Sequence, residues 1–84
     1  MKISDEIISK VLNSEYKYLF LVSLISSDSI LNKEDAIESL EIVNYIINNI
    51  DNFDLTSEIK SEVIKYMNKS KKILHKDIKR FDKK

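Results

Sequence analysis

Residues 15–29 read EYKYLFLVSLISSDS, and between Tyr16 and Ile25 only Lys17 and Ser23 interrupt a run of apolar and aromatic side chains. Three readings compete for such a run: a membrane span, a buried strand and a helix. A spanning helix needs about 20 mostly apolar residues, and this run offers half that between charged flanks. A lone strand leaves its backbone groups unpaired, and no second segment of the chain has a pattern that could pair with it. A helix satisfies its own backbone, so the run is read as helical.

Composition extends that reading to the whole chain. With 84 residues there is room for one domain, spanning 1–84, near the lower limit for a self-sufficient core. The sequence contains no Gly and no Pro. Phosphate-cradling loops and dinucleotide fingerprints need glycine for close backbone approach, and tight hairpins need it for positive φ. A nucleotide-binding α/β fold and a multi-hairpin β fold are thereby disfavoured, and an all-α fold is expected. Cysteine is absent too, which excludes disulfides and thiolate metal sites. The N-terminus MKISDEIISK has no apolar core with a small-residue cleavage site, so a cytoplasmic protein without a transmembrane segment is expected.

Three helices are predicted. The first opens at Ser4, with Asp5 and Glu6 in its first turn and a stripe of Ile7, Ile8, Val11 and Leu12. It is read as continuous to about Ser26, the alternative being a break at Asn13-Ser14. The second is capped by Asn32, with Asp35 three residues on, and runs from Lys33 to Asn49 or Ile50. Its apolar set is Ile37, Leu40, Val43, Ile46, Ile47 and Ile50, with Glu34, Glu38 and Glu41 opposite. The third follows a cap at Asp54 or Thr56 and carries Ile59, Val63, Met67, Leu74, Ile78 and Phe81 at helical spacing. Ending near Phe81, it outreaches the second helix, so part of it is expected to project or fray. The architecture is a small antiparallel three-helix bundle with a long basic C-terminal helix, or four helices if the first is broken.

If the first helix is continuous, Glu6, Ser9, Lys10, Asn13 and Lys17 mark its solvent face. Phe20, Leu21 and Leu24 then fall on that same face, while Leu19, Val22 and Ile25 continue the inward stripe. A helix apolar all round must be covered all round. Either the long third helix or a change of phase at Asn13-Ser14 covers these residues within the monomer, or Tyr16, Phe20, Leu21 and Leu24 form an interface with another protein or with a second copy of the chain.

The formal net charge of zero conceals a division. Residues 1–59 hold four basic and eleven acidic side chains, a net of −7, and residues 60–84 hold ten basic and three acidic, a net of +7. Lys69, Lys71, Lys72, Lys76, Lys79 and Arg80 could offer a surface to nucleic acid, or peripherally to lipid headgroups. Pairing of an acidic second helix with a basic third would absorb the same charges within the fold. The preponderance of Lys over Arg argues against base-specific readout.

Catalytic players are scarce. His75 is the single histidine, has Lys71, Lys72 and Lys79 as helical neighbours, and does not face Asp77 on a helix. Glu34 and Glu38 lie one turn apart, but two carboxylates alone make a poor cation site. No catalytic residue, metal site or cofactor is expected. Asn44 is either a buried register-fixing amide or a boundary residue. In size and helical patterning the chain resembles the small helical-bundle immunity and anti-defence proteins of bacteria and phages, a resemblance that rests on no motif. It implies a non-enzymatic module acting by stoichiometric protein binding, as inhibitor, immunity factor or adaptor. The alternative is a nucleic-acid-associated protein using its lysine-rich helix.

Overall fold

The computed structural model describes residues 4–82, which are mostly helical and contain no strand. The elements are α1 (Asp5–Leu12), α2 (Lys17–Ser23), α3 (Lys33–Asn48), a short 3-10 turn (Ile50–Asn52) and α4 (Ser57–Asp82). The expected all-α fold with a long C-terminal helix is what the chain adopts. The described residues form four α-helices rather than three, because the first predicted helix is broken.

The break lies at residues 13–16 and is held by side chains. Asn13 caps α1 in a right-handed conformation, and its amide Nδ2 donates both to the Ser9 carbonyl (2.9 Å) and to the Asp54 carbonyl (2.8 Å). Ser14 then donates its hydroxyl to the Val11 carbonyl (2.7 Å) and accepts from the Tyr16 amide (3.1 Å). These bonds satisfy terminal backbone groups that a continuous helix would have paired along its axis. Asn49 repeats the device at the end of α3, where its Nδ2 donates to the Tyr45 carbonyl (2.9 Å). Helix ends elsewhere often use a left-handed glycine. Among the described residues no φ is positive, so asparagine side chains do this work in a chain without glycine.

Breaking the helix changes which side of residues 17–25 faces the core. In a continuous helix Leu21 lies nine residues, about two and a half turns, beyond Leu12 and points the opposite way, whereas Leu19 lies about two turns on and points the same way. The structure reverses both. Leu21 is fully buried and Leu24 is 6% exposed, while Leu19 is 70% exposed and Val22 is also exposed. Phe20 and Ile25 are partly buried against the core. The expectation that Phe20, Leu21 and Leu24 face outward is thus corrected, and so is the inward placement of Leu19 and Val22.

The supposed solvent face needs the same correction. Ser9 and Asn13 turn toward the connection between α3 and α4, where the Ser9 hydroxyl accepts from the Asp54 amide (3.3 Å). The side chain of Lys17 is only 15% exposed; its Nζ lies 3.3 Å from Glu62 Oε1 on α4 and 4.8 Å from the Tyr18 ring centroid. That carboxylate oxygen is buried and makes no hydrogen bond, so the ammonium compensates it by proximity alone. Glu6 and Lys10 do remain exposed, joined by an i,i+4 pair at 3.6 Å that contributes little.

The remaining caps follow the sequence closely. Ser4 Oγ accepts from the Ile7 amide (3.2 Å), and Thr56 Oγ1 accepts from the Ile59 amide (3.3 Å). Asn32 Oδ1 accepts from the Asp35 amide (2.9 Å), while the Asp35 carboxylate reaches back to the Leu31 amide (3.0 Å). This is a reciprocal cap displaced by one residue from the usual box.

Packing is centred on α3 and α4. The connection 49–56 joins one pair of their ends, and Lys33 at the start of α3 meets Asp82 at the end of α4 (2.5 Å), so the two run antiparallel. Ala36, Val43 and Ile46 of α3 and Val63, Met67 and Leu74 of α4 are buried together with Ile8 and Leu12 of α1. Two connection residues, Ile30 and Phe53, complete this core. Ser70 is the buried polar residue among them, its hydroxyl donating to the Tyr66 carbonyl one turn back (3.0 Å). The C-terminal part of α4 does not project as expected. Leu74 is buried, Ile78 and Phe81 pack on the core, and Lys33 anchors Asp82. The Asp82 carboxylate, by hydrogen bond and charge, raises the Lys33 ammonium above its ordinary pKa.

Candidate functional site: the outer face of α2 and the lysine row of α4

Two exposed surfaces lie on the helices from which partner contacts were expected. The first lies on α2. Tyr18, Leu19 and Val22 project outward, and on a 100° wheel they share a face about 100° wide. Tyr16, the residue preceding α2, is exposed beside them. Of the four residues expected at an interface, only Tyr16 is largely exposed. Leu21 and Leu24 belong to the core, and Phe20 lies at its edge. The side chains that took their place, Leu19 and Val22, belong to the inward stripe only if the first helix is continuous, and the half-turn change of phase at the break turns them outward.

Lys17 helps to fix this face. Its ammonium holds the inner side of α2 against Glu62 and lies over the ring of Tyr18, which orients one of the exposed aromatics. The face itself bears no charged residue.

The second surface is on α4. Lys65, Lys69, Lys72, Lys76 and Lys79 are exposed and follow one another at i+4, i+3, i+4 and i+3 on the side opposite Val63, Met67 and Leu74. None of the five forms an ion pair within the described residues. Arg80 instead pairs with Asp77 (3.3 Å) and lies over the Phe81 ring (4.9 Å), and Lys71 is half-buried. Those two members of the expected anionic-partner surface therefore stand apart from the row, which gains Lys65. Pairing with the acidic helix does not absorb these lysines. Glu34, Glu38 and Glu41 are exposed on α3, and Lys33–Asp82 is the ion pair that joins the two helices among the described residues.

Other features offer less chemistry. An open groove of about 570 Å³ is lined by Asp5, Glu6, Ser9, Lys10, Asn13, Asn52 and Asp54. Its Ser9 and Asn13 side chains are committed to the backbone of Asp54. Asp5 accepts a hydrogen bond from the Tyr45 hydroxyl, which together with burial raises the Tyr45 pKa. No three His, Asp or Glu side chains among the described residues are grouped to hold a metal ion. His75 is exposed on α4, and Asn44 is a half-buried boundary residue. No helix of the described residues is long and apolar enough to cross a membrane.

No protein-family model matches the chain, and neither a curated protein nor a solved structure shows significant similarity to it.

Proposed function

We propose that this chain is a non-enzymatic, cytoplasmic interaction module that binds protein stoichiometrically through the outer face of α2, and that the protein it takes is a second copy of itself. The observation that carries this reading is the uncharged, apolar character of the Tyr18, Leu19 and Val22 face, with Leu19 70% exposed. A two-fold dimer brings the same patch of each copy together. The glutamates of α3 or the lysines of α4 would meet their own charge in such a contact, whereas the α2 face would not. With a formal net charge of zero, two copies have little long-range repulsion to overcome.

Together with Tyr16, these three side chains supply roughly 300–400 Å² of apolar surface, less than the ~800 Å² per partner of a standard interface. They would form its dry centre, with polar neighbours as the rim. Leu19 and Val22 would each contribute about 1.5–3 kcal/mol if fully covered.

Sedimentation equilibrium over a concentration series tests this. The wild-type chain is expected to pass from monomer to dimer, and Leu19→Lys to remain monomeric with unchanged helix content. A wild-type monomer up to about 1 mM would overturn the proposal, because even a contact worth ~4 kcal/mol is populated at that concentration.

A further inference from the structure

We infer that the lysine row of α4 is a docking surface for the phosphate backbone of a nucleic-acid duplex, bound without regard to sequence. This inference stands on a different helix from the α2 face and does not depend on it. Lys65 to Lys79 span fifteen residues of one helix, roughly 21 Å of axis, with a charge every ~4.5–6 Å. Like charges one turn apart destabilise a helix, and no carboxylate among the described residues pairs with these five. An anionic ligand would relieve that repulsion.

The chemistry of the row selects among anionic partners. A protein interface has an apolar or aromatic centre and is depleted in lysine; here the outermost side chains are lysines interleaved with Asn68 and His75. Amphipathic helices bind lipid by burying an apolar face in the membrane. The apolar face of α4 is already occupied, since Val63, Met67 and Leu74 are fully buried in the core. Single-stranded nucleic acid is held by stacking on exposed aromatics, and the exposed tyrosines lie on α2 and α3 rather than in this row. A duplex needs neither insertion nor stacking. It presents a stiff array with one phosphate per ~3.4 Å of axis on each strand, which a straight row backed by a packed core can follow. Lysine carries charge without the bidentate geometry that reads guanine, so the contact discriminates little between sequences.

Fluorescence anisotropy with labelled DNA and RNA duplexes of unrelated sequence provides the test. Five phosphate contacts give a slope of log affinity against log salt of about −4.5, a loss of roughly 500-fold between 50 and 200 mM salt. The variant Lys72→Gln/Lys76→Gln is expected to fold normally by circular dichroism and to reduce the slope by about 1.8. Lys10→Gln on α1, which removes an equal charge per site away from the row, should leave the slope unchanged. Absence of duplex binding at 50 mM salt would overturn the inference. So would equal binding to phosphatidylserine vesicles or polyglutamate, or a slope that responds to Lys10 as strongly as to Lys72.

Discussion

Leu19 and Leu21 are chemically identical, two positions apart and on opposite sides of the same short helix. Replacing each with alanine measures the phase of α2 directly. Leu21 is completely buried among core residues, so Leu21→Ala removes buried methyl groups and leaves a cavity that the surroundings fill only in part. The loss is about 2–5 kcal/mol, from a total that for a chain of this size is roughly 4–13 kcal/mol. At ~4–8 °C per kcal/mol in a domain of this size, the Tm should fall by at least about 10 °C. Leu19 is 70% exposed, and alanine is the better helix former, so Leu19→Ala should stay within about 0.5 kcal/mol of wild type. Urea and thermal unfolding of both variants, run at low protein concentration to exclude the contribution of association, give the comparison. A continuous first helix demands the opposite order, since it aligns Leu19 with Leu12 and turns Leu21 outward. A larger loss for Leu19→Ala than for Leu21→Ala would refute the phase assigned to α2.

Further expectations concern the contacts that set this phase. Asn13→Ala removes donors to the Ser9 and Asp54 carbonyls and should cost about 1–2 kcal/mol, with faster hydrogen exchange of the Asp54 amide as the local readout. Lys17→Ala leaves the buried Glu62 oxygen without its compensating charge and should cost about 1–3 kcal/mol by chemical denaturation, against less than about 0.5 for exposed Lys10→Ala. Leu24→Lys places an ammonium at a buried position, so its melting temperature should fall sharply even in dilute solution. The raised pKa values of Lys33 and Tyr45 mean that both groups hold their protons more firmly folded than unfolded. Their contribution is complete below the unfolded values and is lost as pH rises through the folded ones, so stability should decline above about pH 10. Denaturation midpoints across that range should show a smaller decline for Tyr45→Phe than for wild type.

The helices were legible where local chemistry decided them. Ser4, Asn32 and Thr56 announce helix starts through side-chain acceptors, and the apolar spacing of α4 survives almost intact as its buried face. Asn13-Ser14 was visible as a possible break, with a change of phase as one possible consequence for residues 17–25, but nothing local selected that consequence. That consequence depends on the Asn13–Asp54 bond, a contact across 41 positions that no local pattern contains. Lys17 misled for a related reason, because a lysine reads as solvent-facing until its partner Glu62, far along the chain, is known. The lysine-rich character of α4 was plain from composition. Its sorting into an unpaired row and a paired edge required the positions of Asp77 and of the α3 glutamates.

A half-turn change of phase buries Leu21 and Leu24 and leaves Leu19 and Val22 outward, where the proposed dimer would cover them. Methyl NMR signals recorded with a soluble paramagnetic agent, in dilute and in concentrated samples, test both parts together. The Leu19 and Val22 methyls are expected to be broadened in the dilute sample and protected in the concentrated one, with Leu21 and Leu24 protected in both. Broadening of Leu21 or Leu24 in the dilute sample would contradict the phase, and Leu19 and Val22 methyls equally broadened at both concentrations would contradict the association.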